Sequence, residues 1–449
     1  MADEKGATGN LLETVRRSPL LRIILVGFLV LLLQIPINMI SGVVGERASR
    51  RQEAAEEVTS KWGNEQSVIG PMLTVPYVQK WFETDKDGAL KLARTEVRYA
   101  SFLPDSLQES GKVVGEVRYR GIFKVPVYSM ALDVTGQFSR PDLSEWDVKA
   151  EDILWDRAHL TVQISDARAI TNPVALQWNG QELRFLPGVG DFGGTRAGIH
   201  VPMKGHLSDA AFKFSYHLDL NGSGGVSFAP FGRETTVDIQ SNWSDPSFQG
   251  NWLPAQRTIT EAGFQAKWNI PFLGRNYPQQ WQGAADFENA ISSSLFGVEF
   301  IAPVDHYRMS ERSVKYEALF LSLTFLTLWL FERLSQRRVH SVQYLLVGAA
   351  LCVFYLLELA LAEHIGFTIA YVCASVAVTA VVYLYCTFAL GGRKGALIMG
   401  GVLLLLYGYL YVLLMCQDYA LLIGSVCLFL ALAVVMWITR KVDWYSVKS

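Results

Sequence analysis

The sequence predicts a membrane α-helical bundle of six spans, arranged one plus five, with a large β-rich extracytoplasmic domain inserted between the first and second spans. Three observations carry this. One apolar run lies near the start, over 20–41, and five more crowd the stretch 313–440. Each approaches the ~20 residues a helix needs to cross ~30 Å of hydrocarbon. The long segment between them is polar and turn-rich, with apolar residues recurring every second position.

Residues 1–19 read as a cytoplasmic N-terminus, with Lys5, Arg16 and Arg17 ahead of the first run and Arg22 at its edge. Pro36 is expected to kink or end that run. A cleavable signal peptide is the rival reading. The basic start fits it, but the apolar core exceeds a usual h-region and no A-x-A site follows. Residues 45–61, GERASRRQEAAEEVTSK, read as a stalk helix: good helix formers, no Pro, and Arg and Glu at spacings of three and four that pair along one face.

From 62 to 312 the texture is β. Strand-like stretches fall at 72–78, 113–119, 159–164, 182–186, 211–220, 235–240 and 263–270, which argues for an antiparallel sandwich or related β layers. Helical periodicity intrudes only at 142–152 and 280–294. The insert contains no cysteine, so its stability must come from its core, which its length permits.

Three motifs in the insert could carry chemistry. Gly188–Gly193 spells G-x-G-x-x-G, but TRAGIHVPM follows it in place of the helix that would bind a pyrophosphate, so it reads as a glycine turn between strands. His200, His206 and His217 lack metal-ligand spacing. Ser223, in NGSGG, lacks the nucleophile-elbow pattern and reads as a hairpin turn. No catalytic, cofactor or metal site is predicted, and the chain is expected not to be an enzyme. A net charge of −2 gives no footing for nucleic acid.

The five later spans read as 313–334, 342–362, 367–390, 396–416 and 419–439. Arg333, Arg337 and Arg338 follow the second span, Arg393 and Lys394 the fourth, and Arg440 and Lys441 the sixth. The alternate links hold no Lys or Arg. The positive-inside rule then places both termini, including the 441–449 tail, in the cytoplasm and the insert outside it. Trp437, Trp444 and Tyr445 suit an interfacial belt. Cys352, Cys373, Cys386, Cys416 and Cys427 all fall in these spans and read as small core residues. Gly348, Gly366, Gly400, Gly401, Gly408 and Gly424 permit close helix packing.

The candidate polar groups of the bundle are Glu358, inside the third span, and Glu363, His364 and Asp418, near the outer ends. Ionisable groups at depth are costly and face a bundle interior or cavity, so Glu358 is the functional candidate. The plainer reading is a carboxyl paired with a Tyr or Ser inside the bundle. The spans do not divide into two similar halves, and no helix is broken by Gly or Pro, which argues against a transporter.

AEEVTSKWGNEQSVIGPMLTVPY after the first span resembles the CreD inner-membrane family. So do NWSDPSFQGNWLPAQRTITEAGFQAKW, FGVEFIAPVDHY and the later runs FERLSQRRVHSVQYLLVG, FYLLELALAEHIGFTIAY and CQDYALLIGSVCLFLALAVVMWITRKVDWY. The resemblance covers nearly the whole chain. It implies a bacterial inner-membrane protein that supports cell-envelope integrity and tolerance of stress or colicins, and it brings no established catalytic residue or cofactor to carry over. The expected partners are the bilayer and an exported protein, glycan or lipid; a transporter or flippase-like role for the bundle is the alternative. Glu358 stands where the family pattern expects an apolar residue, and Gln417 where it expects Glu, so Glu358 is not a family-wide functional group and a Glu at 417 is not essential, and both points weaken the transporter reading.

Overall fold

The computed structural model describes residues 19–84, 90–190, 197–208, 211–283, 287–300, 306–335, 339–416 and 419–440. The chain divides into two compact units: a helical one, Met1–Arg51 with Val304–Ser449, and a β-rich one, Gln52–Pro303. The first helix, α1 (Pro19–Trp62), contributes residues to both. It runs unbroken through Pro36, which corrects the expected stop. A proline in an apolar helix is tolerated where neighbouring groups satisfy the freed carbonyl. The run therefore does not end near residue 41, and the stalk is its direct continuation.

The β unit is two sheets around one core. The nine-stranded sheet runs β13 (Pro246–Gly250), β17 (Phe296–Phe300), β11 (Gly225–Phe228), β1 (Gln66–Thr84), β5 (His159–Ile164), β9 (Gly198–Pro202) and β8 (Leu186–Pro187). β2 (Leu90–Phe102) also pairs with β1, and β16 (Gln280–Gln282) with β2. The eight-stranded sheet runs β14 (Gln256–Thr260), β15 (Gly263–Pro271), β12 (Glu234–Ser241), β3 (Ser106–Arg120), β4 (Phe123–Ser139), β10 (Ala211–Ser223), β6 (Ala175–Trp178) and β7 (Gln181–Arg184). Alternation is the driving pattern. On β10, Phe212, Phe214, Tyr216, Leu218 and Leu220 turn inward while Ala211, Lys213 and His217 face solvent. Trp178, Trp268, Phe138, Phe212, Phe228 and Phe296 fill the core, each 2 % exposed or less.

Two expectations are corrected here. The sheets are mixed: β1 pairs with β11, and β12 with β3, in parallel. NGSGG is no hairpin, because β10 lies in one sheet and β11 in the other, and the chain crosses between them at Gly224, whose φ of +72 favours glycine. The 142–152 region holds 3-10 turns at Ser144–Trp146 and Ala150–Asp152; among the described residues of 280–294, α2 (Glu288–Ser293) is the helical part. The last described strand ends at Phe300, so β structure stops before residue 312.

Polar ties fix the chain where α1 meets the strands. Trp62 Nε1 donates to the Tyr128 carbonyl at 3.0 Å, under the Arg118 guanidinium 4.1 Å from its ring. Asp166 accepts from Asn64 Nδ2 at 3.0 Å and pairs with Arg168 through Nε at 2.9 Å and Nη2 at 3.0 Å. The Arg168 hydrogen bonds hold the Asp166 carboxyl below the usual carboxylate range. One core residue breaks the pattern. Glu109, on the inward face of β3, is 2 % exposed, and neither carboxyl oxygen has a hydrogen-bond partner among the described residues. Burial holds its carboxyl well above the usual range.

The helical unit holds α3 (His306–Lys315), α4 (Glu317–Ser335), α5 (Ser341–Ile365), α6 (Phe367–Ala389), α7 (Arg393–Met415) and α8 (Ala420–Thr439). Among the described residues, five helices are long and apolar enough to cross a membrane: α1, α5, α6, α7 and α8. A sixth span is formed if α3 and α4 are taken together, but they bend by 45° at Tyr316. The second predicted span, 313–334, is thus a broken helix, although neither Gly nor Pro stands at the break. Glycine supports packing at Gly348, where a Cβ would lie 2.3 Å from Leu33 Cδ1 and 2.8 Å from Phe325 Cζ. Gly366, Gly401 and Gly408 meet open space and have no such role. Cys352 and Cys386 are buried, whereas Cys373 is exposed, against the core reading. α8 has no buried residue, as suits an apolar helix turned to lipid.

Candidate functional site

The polar residues of the helical unit converge beside the bend between α3 and α4. On α3, Tyr307, Ser310 and Ser313 recur every third residue and so share one face. That face meets α5. Ser310 Oγ donates to Glu358 Oε1 at 3.1 Å, and Ser313 Oγ to Oε2 at 2.7 Å. Both serines are buried, and Glu358 is 0 % exposed. Further along α5, Glu363 Oε1 accepts from Tyr307 Oη at 2.9 Å and lies 3.8 Å from Arg47 Nε of α1.

Glu317, the first residue of α4, is 2 % exposed. Its Oε2 accepts from Gln34 Nε2 of α1 at 3.1 Å, and its Oε1 has no partner among the described residues. Tyr355 precedes Glu358 by three residues on α5 and lies within electrostatic reach of Glu317, Glu358, Tyr371 and Tyr407. The Tyr355 and Tyr407 hydroxyls are buried without hydrogen-bond partners among the described residues. Tyr371 is committed elsewhere, its hydroxyl donating to the Tyr407 carbonyl at 2.6 Å. Towards the opposite end of α5, Tyr344 Oη donates to Glu332 Oε2 at 3.3 Å.

Of the four sequence candidates, Glu358 and Glu363 join this network, His364 is exposed, and Asp418 lies outside the described residues. The plainer reading of Glu358 describes its contacts: a carboxyl held by serines. Glu317, Ser310, Ser313 and Tyr355 were missed. Glu317 carried a signal, a carboxyl inside the second predicted span.

The β-unit motifs gather no site. His200 Nδ1 lies 2.9 Å from the Gly188 carbonyl, His206 Nδ1 lies 3.0 Å from Gln181 Oε1, and His217 sits on the other sheet between Asp133 at 2.6 Å and Asp219 at 3.1 Å. Hydrogen bonding to Asp133 raises the His217 imidazole above its ordinary value. The described part of the G-x-G-x-x-G stretch is the turn between β8 and β9, residues 191–193 lying outside the described set. Among the described residues, no group of three or more His, Cys, Asp or Glu side chains could hold a metal ion. The eight-stranded sheet does carry a groove of about 470 Å³, lined by Lys112, Gln240, Asn242, Thr258, Thr260 and Gln265 among others.

Comparison with known proteins bears on the whole chain. Residues 18–445 match the family model described as inner membrane protein CreD. The inner membrane protein CreD of Escherichia coli (strain K12) is 35 % identical over 421 residues, covering 93 % of this chain and 92 % of that protein.

Proposed function

The chain belongs to the CreD family of inner-membrane proteins, and from that premise we propose that it is a non-enzymatic envelope protein supporting cell-envelope integrity and stress or colicin tolerance. The β unit lies outside the cytoplasm and binds an exported partner, while the helices anchor it with both termini inside. The observation that carries this is the groove on the eight-stranded sheet. Its amides, hydroxyls and single Lys form an uncharged-to-weakly-basic lining that suits a polar, hydroxyl-rich partner such as a glycan. The basic links after the second, fourth and sixth spans support the orientation.

The test is photo-crosslinking from Thr258 in living cells, beside a deletion strain under detergent stress. Capture of envelope material, with increased permeability in the deletion strain, is expected. Unchanged permeability and growth would sink the envelope role. The second reading, a transporter or flippase-like protein built on the C-terminal bundle, is favoured by the α3–α4 bend beside buried carboxyls, a feature of transport sites. A truncation retaining the helices should then keep part of the activity.

A further inference from the structure

We infer that the open edge of β3 beyond Gly115 is a docking site for an extended, acidic polypeptide segment, which joins the eight-stranded sheet there as one further strand. The inference concerns that edge alone and holds whatever the groove binds.

The edge is defined by where the backbone groups of β3 point. β12 lines β3 only as far as the Val113–Ser241 pair. Two residues on, a side chain takes over. Asn242 Oδ1 accepts from the Gly115 N–H at 2.7 Å, and Asn242 Nδ2 donates to the Gly115 carbonyl at 3.2 Å. Both backbone groups of Gly115 thus turn away from β4. By the alternation of an antiparallel ladder, those of Val117 and Tyr119 do the same. Two features agree. Val117 lies opposite Pro126, which has no N–H to give, and the β3–β4 ladder closes at the Arg120–Phe123 pair across a two-residue turn. Val117 and Tyr119 are 44 % and 66 % exposed. Among the described residues, no backbone group from any element but β4 bonds to either. The opposite edge of this ribbon is blunted by Pro126; the β3 edge holds no proline.

Chemistry selects the occupant. Two N–H and two C=O groups at a strand repeat of about 6.8 Å are matched by another extended backbone. Charge narrows the choice. Lys112, Arg118, Arg120 and Lys124 face only Glu116 within the ribbon, and Glu57 of α1, which accepts from Arg120 at 2.8 Å, is already paired with Lys61. This excess of positive charge favours acidic side chains on the incoming strand. A second copy of the chain fits poorly. Two β3 edges paired so that Val117 meets Tyr119 would set Arg118 directly against Arg118.

The test uses the full chain in detergent and fluorescein-labelled peptides of alternating Val and Asp, or of alternating Val and Lys, followed by fluorescence anisotropy. The Asp peptide is expected to bind, and the Lys peptide to bind at least about tenfold more weakly. Binding of the Asp peptide should fall by about tenfold or more when it is N-methylated throughout, which keeps its charge but removes its N–H groups, and in Val117→Pro, which removes one edge N–H. Amide hydrogen exchange of the unmodified chain should slow over 116–120 when the Asp peptide is bound. No binding of the Asp peptide, equal binding of the Lys or the methylated peptide, or protection that leaves 116–120 unchanged would overturn the inference; none of these needs a variant that folds. Light scattering that shows the free chain dimeric, and monomeric in Val117→Pro, would give the edge to a second copy and equally overturn it.

Discussion

Replacing Glu109 by Leu should stabilise the β unit, and the gain should depend on pH. Glu109 lies between Leu107 and Gly111 along β3, and across the sheet it aligns with Val134 on β4 and Val237 on β12. These neighbours are apolar or glycine, and both its oxygens are orphaned among the described residues. A buried polar group left unmade costs about 1–3 kcal/mol, and a leucine of similar volume removes that cost. Because burial raises the folded carboxyl above its unfolded value near ~4.3, the protonated form is the one the fold accepts. The parent's stability is then fully present below the unfolded value and falls as pH rises through the folded one. Between those two values the loss is about 1.4 kcal/mol for each step of one in pH. The advantage of Leu over the parent should therefore widen from mildly acidic to alkaline pH, while Glu109→Gln follows the same pH trend with a smaller offset. Urea unfolding of the full chain in detergent, followed by tryptophan fluorescence, reads this unit, because nine of the twelve tryptophans lie between Trp62 and Trp281. A Leu variant less stable than the parent at alkaline pH, or a gap that ignores pH, would refute the reasoning.

Two further outcomes follow from the packing. Gly348→Ala should weaken the helical unit by about 1–3 kcal/mol, because its Cβ would run into Leu33 and Phe325, whereas Gly401→Ala meets open space and should be neutral; thermal denaturation in detergent separates them. Asp166→Asn should flatten the acid limb of β-unit stability. The depressed Asp166 carboxyl contributes stability above its unfolded value near ~3.9 and loses it as pH falls through the folded one, by no more than about 1 kcal/mol given the exposure of Arg168. Identical acid limbs in parent and variant would count against that pairing.

Much of the architecture is legible because both solvents write strong patterns. Apolar runs mark helices that face hydrocarbon, and strict alternation on β10 and β15 marks strands with one face in a core. What is not legible is which strands pair over long distances. NGSGG has the composition of a tight turn, yet the glycine at 224 redirects the chain from one sheet to the other. The bend at Tyr316 is hidden because neither Gly nor Pro stands at it, so it is set by packing and not by a local helix breaker. Within the site, Glu358 stood out as a charge at depth. Its serine partners did not, because serines at helix edges usually face water.

The order of strands in the nine-stranded sheet also governs when this protein can finish folding. β17 lies between β13 and β11, and β11 pairs with β1, so segments near the two ends of the insert become close neighbours. A nascent chain that has produced everything up to residue 295 still lacks an interior strand and leaves the edges of β11 and β13 unpaired. The sheet closes only when Phe296–Phe300 emerges, just ahead of the C-terminal helices. Such long-range closure makes for slow folding and a prolonged period of exposed strand edges. Folding of the insert and synthesis of the last five spans therefore compete in time, and a chain stalled early in the insert has no half-domain in which to rest.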